Sequence, residues 1–210
     1  MFGITNFTAF VIAGILLNLT PGSDTMYVLG RSISQGKKAG IMSVFGISTG
    51  CLVHTVLAAF GLSFIIAQSD LVFNIIKYAG AIYLCFLGVR MIQKQTGVEV
   101  EIGTSQRKKY WRIFFSGIFT NVLNPKVALF FLAFLPQFVK SSQVNSPLPF
   151  LILGLTFIVT GTIWCLILVL FSSLMAERLK RNNKLKNWLE KIAGSVFIAL
   201  GLKLAFQTKE

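Results

Sequence analysis

Six apolar runs alternate with short polar segments rich in lysine and arginine: about Ile4–Leu29, Ala39–Ala67, Leu71–Val89, Trp111–Val139, Leu148–Met175 and Trp188–Phe206. Each reaches roughly the 20 residues of helix that cross about 30 Å of hydrocarbon. Several are longer, which predicts tilt or breaks. Inside lipid, helices are the structures that satisfy the backbone of such runs internally. The pattern predicts an all-α, polytopic membrane protein with six transmembrane helices.

Two of the runs are interrupted. The first holds Asn18-Leu19-Thr20-Pro21-Gly22-Ser23-Asp24, and the fourth holds Asn121-Val122-Leu123-Asn124-Pro125-Lys126. Proline has no N–H to donate and clashes with the preceding turn, so each helix must break or kink there. A carboxylate follows the first break and an ammonium the second.

Composition agrees with a membrane setting. Of the 210 residues 54% are hydrophobic and only 13% charged, about half the charged share of a soluble domain. The net charge of +13 would suit nucleic acid, but the basic residues lie in loops between apolar runs, where they set topology. Arg31, Lys37 and Lys38 follow the first run. Arg90, Lys94, Arg107, Lys108, Lys109 and Arg112 follow the third, and Arg178, Lys180, Arg181, Lys184, Lys186 and Lys191 follow the fifth. These loops are expected in the cytoplasm and both termini outside it. The N-terminus lacks the basic region and cleavage site of a signal peptide and reads as the first span. Cys51, Cys85 and Cys165 fall within apolar runs and suggest neither a disulfide framework nor a zinc site.

The two halves resemble each other. Gly14, Asn18 and Pro21 recur as Gly117, Asn121 and Pro125. Lys77-Tyr78-Ala79-Gly80 with Leu87-Gly88 recurs as Lys191-Ile192-Ala193-Gly194 with Leu200-Gly201. Small-residue pairs are generic packing surfaces in membrane helices, but two matches in the same order predict duplication. Residues 1–93 then form a first three-helix repeat, 94–110 a cytoplasmic connector and 111–210 a second repeat. With three spans each, the halves enter from opposite sides. In transporters of that inverted design, discontinuous helices at the repeat interface make the substrate site.

Ionisable groups within a span are costly unless paired or hydrated. Three stand out: Asp24, His54 and Lys126. Asp24 is a partner for a substrate ammonium, a proton carrier, or both in alternation, and can at the same time cap the helix that restarts after Pro21 and Gly22. Lys126 lies too deep to snorkel and needs an anion, either Asp24 in a permanent ion pair or a substrate carboxylate. His54 relays protons, binds substrate, or makes an ordinary interhelical hydrogen bond. Asn18, Asn121 and Asn124 flank the breaks, where their amides can satisfy freed backbone groups or contact a zwitterionic ligand. Gly46 and Gly50 predict a close helix approach. No Walker A loop, zinc pair or Ser/Lys dyad is present, so neither ATP, a cofactor nor intramembrane enzyme chemistry is implied.

Across essentially its whole length the chain resembles the LysE/RhtB family of bacterial amino-acid exporters. The resemblance rests on Leu19-Thr20-Pro21-Gly22-Ser23-Asp24 with Gly36 and Gly40, on Gly46-Ile47-Ser48-Thr49-Gly50, on Thr120-Asn121-Val122-Leu123-Asn124-Pro125-Lys126 and on Leu135-Pro136-Gln137-Phe138. The family's first break usually reads Pro-Gly-Pro, where this chain has Ser23. Some homoserine/threonine exporters are similar in having serine there and histidine at the place of His54. The resemblance implies proton-linked export of neutral amino acids, such as homoserine, threonine or leucine, across a bacterial inner membrane. Its partners would be the amino acid, the proton and the lipid bilayer, with room left for a homo-oligomer. From the residues alone, a cation or metal-ion exporter and an uncoupled channel or scaffold remain alternatives. A cation cage asks for more oxygen ligands and no fixed positive charge beside them.

Overall fold

A computed structural model describes residues 2–62 and 109–172, with scattered helical positions within 78–93 and 191–206. Among the described residues every regular element is helical: α1 (Phe7–Leu19), α2 (Ser23–Gln35), α3 (Lys37–Val56), α4 (Tyr110–Val122), α5 (Pro125–Leu129) and α6 (Pro147–Leu170). A π-helical turn, Leu57–Leu62, prolongs α3. A π turn, Phe130–Phe134, and a 3-10 turn, Leu135–Phe138, prolong α5.

The breaks fall at the two prolines. The axes of α1 and α2 differ by 49°, and those of α4 and the segment Pro125–Phe138 by 48°. Two helical stretches, Lys37–Gly61 and Pro147–Leu170, are long and apolar enough to cross a membrane unbroken, and each bent pair can serve as one further span. That gives up to four of the six expected spans among the described residues. The third and sixth, and with them the second repeat match, lie largely outside these residues. Described positions in the two do touch, because a Cβ on Gly201 would meet Cys85 Sγ at 2.7 Å.

The polar segment expected after the first span is mostly helix. α2 continues through Arg31 to Gln35, and Gly36 alone, at φ +87°, separates it from α3. That backbone conformation suits glycine. In the fifth run α6 is continuous to Leu170; Phe171 is a turn, Ser172 is again helical, and positions 173–175 lie outside the described residues.

Four spans alternate in direction. At one face, Thr5 N–H donates to Phe138 O and Lys140 N–H to Gly3 O, both at 2.8 Å. The start of α6 is there too, with Pro149 against Gly3. At the other face, Tyr27 Oη donates to Ile113 O at 2.7 Å, and Val169 at the end of α6 meets Gly40. So α1–α2 and α6 run one way, and α3 and α4–α5 the other, as the loop charges predict for these four.

α3 is central, packed on α4, α6 and α2. Its contact with α4 requires glycine. A Cβ on Gly46 would collide with Phe114 O, and one on Gly50 would lie 2.8 Å from Asn121 Cβ. This is the close approach expected of that pair. An aromatic cluster of Phe10, Phe130, Phe134, Phe138 and Phe157 fills the space near the N-terminal face, with ring centroids as close as 4.7 Å. Large apolar side chains such as Ile12, Leu52, Leu155 and Val159 point outward, as a lipid-facing surface requires.

Candidate functional site

Two missing N–H groups shape the site. A helical carbonyl accepts from the N–H at i+4. For Leu17 that residue is Pro21 and for Asn121 it is Pro125, so both carbonyls lose their normal partner. Side chains from elsewhere fill both places. Lys126 Nζ donates to Leu17 O at 2.8 Å and to Thr20 O at 2.9 Å. His54 Nε2 lies 3.2 Å from Asn121 O. A carbonyl only accepts, so this nitrogen carries the proton. Asn124 N–H also donates to Asn121 O, at 3.0 Å.

Asp24 does not cap α2. The N-cap is Gly22, with no side-chain cap bond, and the Asp24 carboxylate turns across the cleft. Its Oδ2 accepts from Asn121 Nδ2 at 2.8 Å. The charges are therefore held crosswise. The acid of the first break meets an amide of the second, and the ammonium of the second break meets carbonyls of the first. Among the described residues no ion pair joins Asp24 to Lys126. Each charge still suits its local helix end, the carboxylate at the N-terminus of α2 and the ammonium at the C-terminus of α1.

The other expected residues separate into two groups. Asn124 Oδ1 accepts from the Lys126 N–H at 3.0 Å and so caps α5, as foreseen for a freed backbone group. Asn18 and Asn121 do not spend their amides this way. Asn18 Nδ2 donates to Thr160 Oγ1 at 3.4 Å, and Gly161 lies beside it. His54 is buried and stacked on Phe131, with ring centroids 5.7 Å apart. It stands behind Asn121 and does not line the cavity.

That cavity brings Asn18, Gly22, Asp24, Asn121, Asn124 and Lys126 together. Water-sized centres have about 50 Å³ in it, within about 570 Å³ of empty space that includes its mouth. The smaller figure holds a few waters, or the charged end of an amino acid. Three polar atoms of its lining residues are buried without a hydrogen-bond partner: Asp24 Oδ1, Asn121 Oδ1 and Trp164 Nε1. An unmade bond on a buried polar atom is costly, so these atoms suit a polar guest. Two acceptors, one of them anionic, fit an ammonium. The ammonium of Lys126 has three donors, two of them engaged, and the third fits a carboxylate.

Ser48 on α3, which lies in the Gly46–Gly50 motif, and Thr162, Gly161 and Trp164 on α6 also line the cavity, and none was among the candidate site residues. Ser48 and Thr162 share a hydrogen bond of 2.7 Å. The signal on α6 was Thr160-Gly161-Thr162 followed by Trp164, small polar residues and an indole inside an apolar run. Among the described residues no group of three or more His, Cys, Asp or Glu side chains could hold a metal ion.

The family profile described as "LysE type translocator" matches residues 15–208. The chain belongs to the LysE-type translocator family. It is 31% identical over 204 residues to the uncharacterized membrane protein YrhP of Bacillus subtilis, covering 93% of this chain and 96% of that one. It is 32% identical over 197 residues to the homoserine/homoserine lactone efflux proteins of Salmonella typhimurium and Salmonella typhi, covering 94% of each chain. No solved structure matches. This LysE-type translocator is thus a multi-pass membrane transporter and not an enzyme, as the motifs in its two breaks led one to expect.

Proposed function

We propose that this translocator exports small neutral amino acids from the cytoplasm by proton antiport. The substrate ammonium binds Asp24 Oδ1 and Asn121 Oδ1, and its carboxylate binds Lys126. The observation that carries this reading is the separation of charge. Asp24 and Lys126 line one cavity, yet each is held by a neutral group of the opposite break. A permanent ion pair would satisfy both charges within the protein and would have to be broken before a zwitterion could bind. The names of the Salmonella relatives support an amino acid of homoserine's size, with threonine and leucine as further candidates. Lys126 in the cavity disfavours a bare cation as cargo.

Coupling follows from competition. A proton and a ligand ammonium cannot both be held well by one carboxylate. Substrate leaving on the outer side frees Asp24 for a proton, and proton release inside frees it for the next substrate. The aromatic cluster around Phe10 and Phe134 lies toward the face that holds the N-terminus, the outer side in this reading.

Two halves related by inversion, 1–93 and 111–210, joined by the connector 94–110, rock about this site. Several relations support that duplication. The bends are nearly equal. Gly14 packs against Phe157 of α6, and Gly117 against Gly46 of α3, the same relation with the halves exchanged. The loop charges support a bacterial inner-membrane setting with both termini outside the cytoplasm.

The test is efflux of labelled homoserine, threonine or leucine from cells carrying Asp24→Asn or Lys126→Ala. Loss in both, together with collapse of efflux when the proton gradient is dissipated, is expected. Normal rates in both variants contradict the site.

A further inference from the structure

The zwitterion reading uses two of the three unpartnered buried atoms on the residues that line the cavity and leaves Trp164 Nε1. An indole N–H donates and cannot accept, so the guest that satisfies it must bring an oxygen. The substrate carboxylate is drawn to the charge on Lys126. Its second oxygen is one acceptor within the substrate and a side-chain oxygen is the other; only the second makes the protein tell a hydroxylated side chain from an alkyl one. Of the nearby hydroxyls, Ser48 and Thr162 are bonded to each other, which engages one of their two protons and leaves the other free to donate. The neighbouring lining from Val127, Phe157 and Ile158 is apolar. Trp164 also borders an apolar groove of about 280 Å³ with Ile15, Leu19 and Ile163, so its indole stands where the polar cavity ends.

We propose that Trp164 is a specificity-determining residue: its indole N–H donates to an oxygen on the substrate side chain. The translocator therefore prefers α-amino acids whose side chain carries a hydroxyl or ester oxygen over alkyl ones of the same size. The proposal rests on the zwitterion reading and narrows it. A site built to hydrogen-bond a substrate oxygen rejects the analogue lacking it, because the buried donor is then left unpaired.

The experiment compares binding of homoserine and norvaline, which differ by OH against CH₃, to the purified full chain and to Trp164→Phe, which keeps an aromatic ring and removes the donor. The unsubstituted protein is expected to prefer homoserine by about tenfold or more. In Trp164→Phe the ratio is expected to fall to about one, through weaker homoserine binding at unchanged norvaline binding. A merely structural tryptophan would weaken both ligands together. If Trp164→Phe does not give monodisperse protein, Trp164→Met takes its place. A ratio clearly below tenfold in the unsubstituted protein, or a preference that survives the substitution, overturns the assignment of Trp164 and leaves the zwitterion site standing. Binding of neither amino acid overturns both.

Discussion

The ammonium of Lys126 takes the place of the N–H that Pro21 lacks, with Nζ 2.8 Å from the Leu17 carbonyl oxygen. His54 stands in the same relation to Pro125, with Nε2 3.2 Å from the Asn121 carbonyl oxygen. Each break thus depends on an ionisable side chain from another element. Lys126 then has two roles, one in holding the end of α1 and one, as proposed, in holding substrate. Mutations can separate them.

Lys126→Met leaves the carbonyls of Leu17 and Thr20 without their donor. Each such loss costs about 1–3 kcal/mol when buried, so the variant should unfold at a distinctly lower temperature as well as lose efflux. Adding Pro21→Ala returns an N–H opposite Leu17 O. The double variant should regain about 1 kcal/mol of that stability and none of the transport. Thermal unfolding of the two single variants and the double one gives the coupling. Additive effects would contradict the exchange of one donor for another.

His54→Gln tests the two roles left open for this residue. With a second donor on Asn121 O from Asn124, loss of the imidazole bond should cost about 1 kcal/mol. Efflux and its dependence on the proton gradient should stay near the unsubstituted level. A variant that transports without gradient dependence would make His54 a proton relay.

The α3–α4 crossing should tolerate no side chain at its closest point. In Gly46→Ala the added Cβ meets the Phe114 carbonyl, a backbone group that cannot swing aside, and overpacking of this kind costs about 2 kcal/mol or more. Gly30→Ala is the control, because no atom lies within 4 Å of its Cβ. Yield of folded protein and thermal unfolding should fall for the first and hold for the second.

Local chemistry made part of this legible in the sequence. Pro21 and Pro125 announced the breaks because proline cannot donate, and Asp24 and Lys126 pointed to the cavity they line because charge in lipid needs a reason. What filled the freed carbonyls was not legible. Lys126 finds Leu17, and His54 finds Asn121, only through helix packing between residues distant in sequence. For the same reason the sequence leaves Asp24 a capping role beside its binding one, and only the contact with Asn121 shows which way its carboxylate turns. The contribution of α6 was hidden for another reason: Thr162 and Trp164 carry no charge, and an uncharged residue in an apolar run looks like packing.

Binding of blocked substrates tests the central claim most directly. Homoserine, its N-acetyl derivative and its methyl ester are titrated into the purified protein, Asp24→Asn and Lys126→Met. Removing the substrate ammonium or carboxylate should each weaken binding to the unsubstituted protein about tenfold or more. Asp24→Asn should become indifferent to N-acetylation, and Lys126→Met indifferent to esterification. If both variants bind unmodified homoserine as tightly as the unsubstituted protein does, Asp24 and Lys126 are not the substrate's partners.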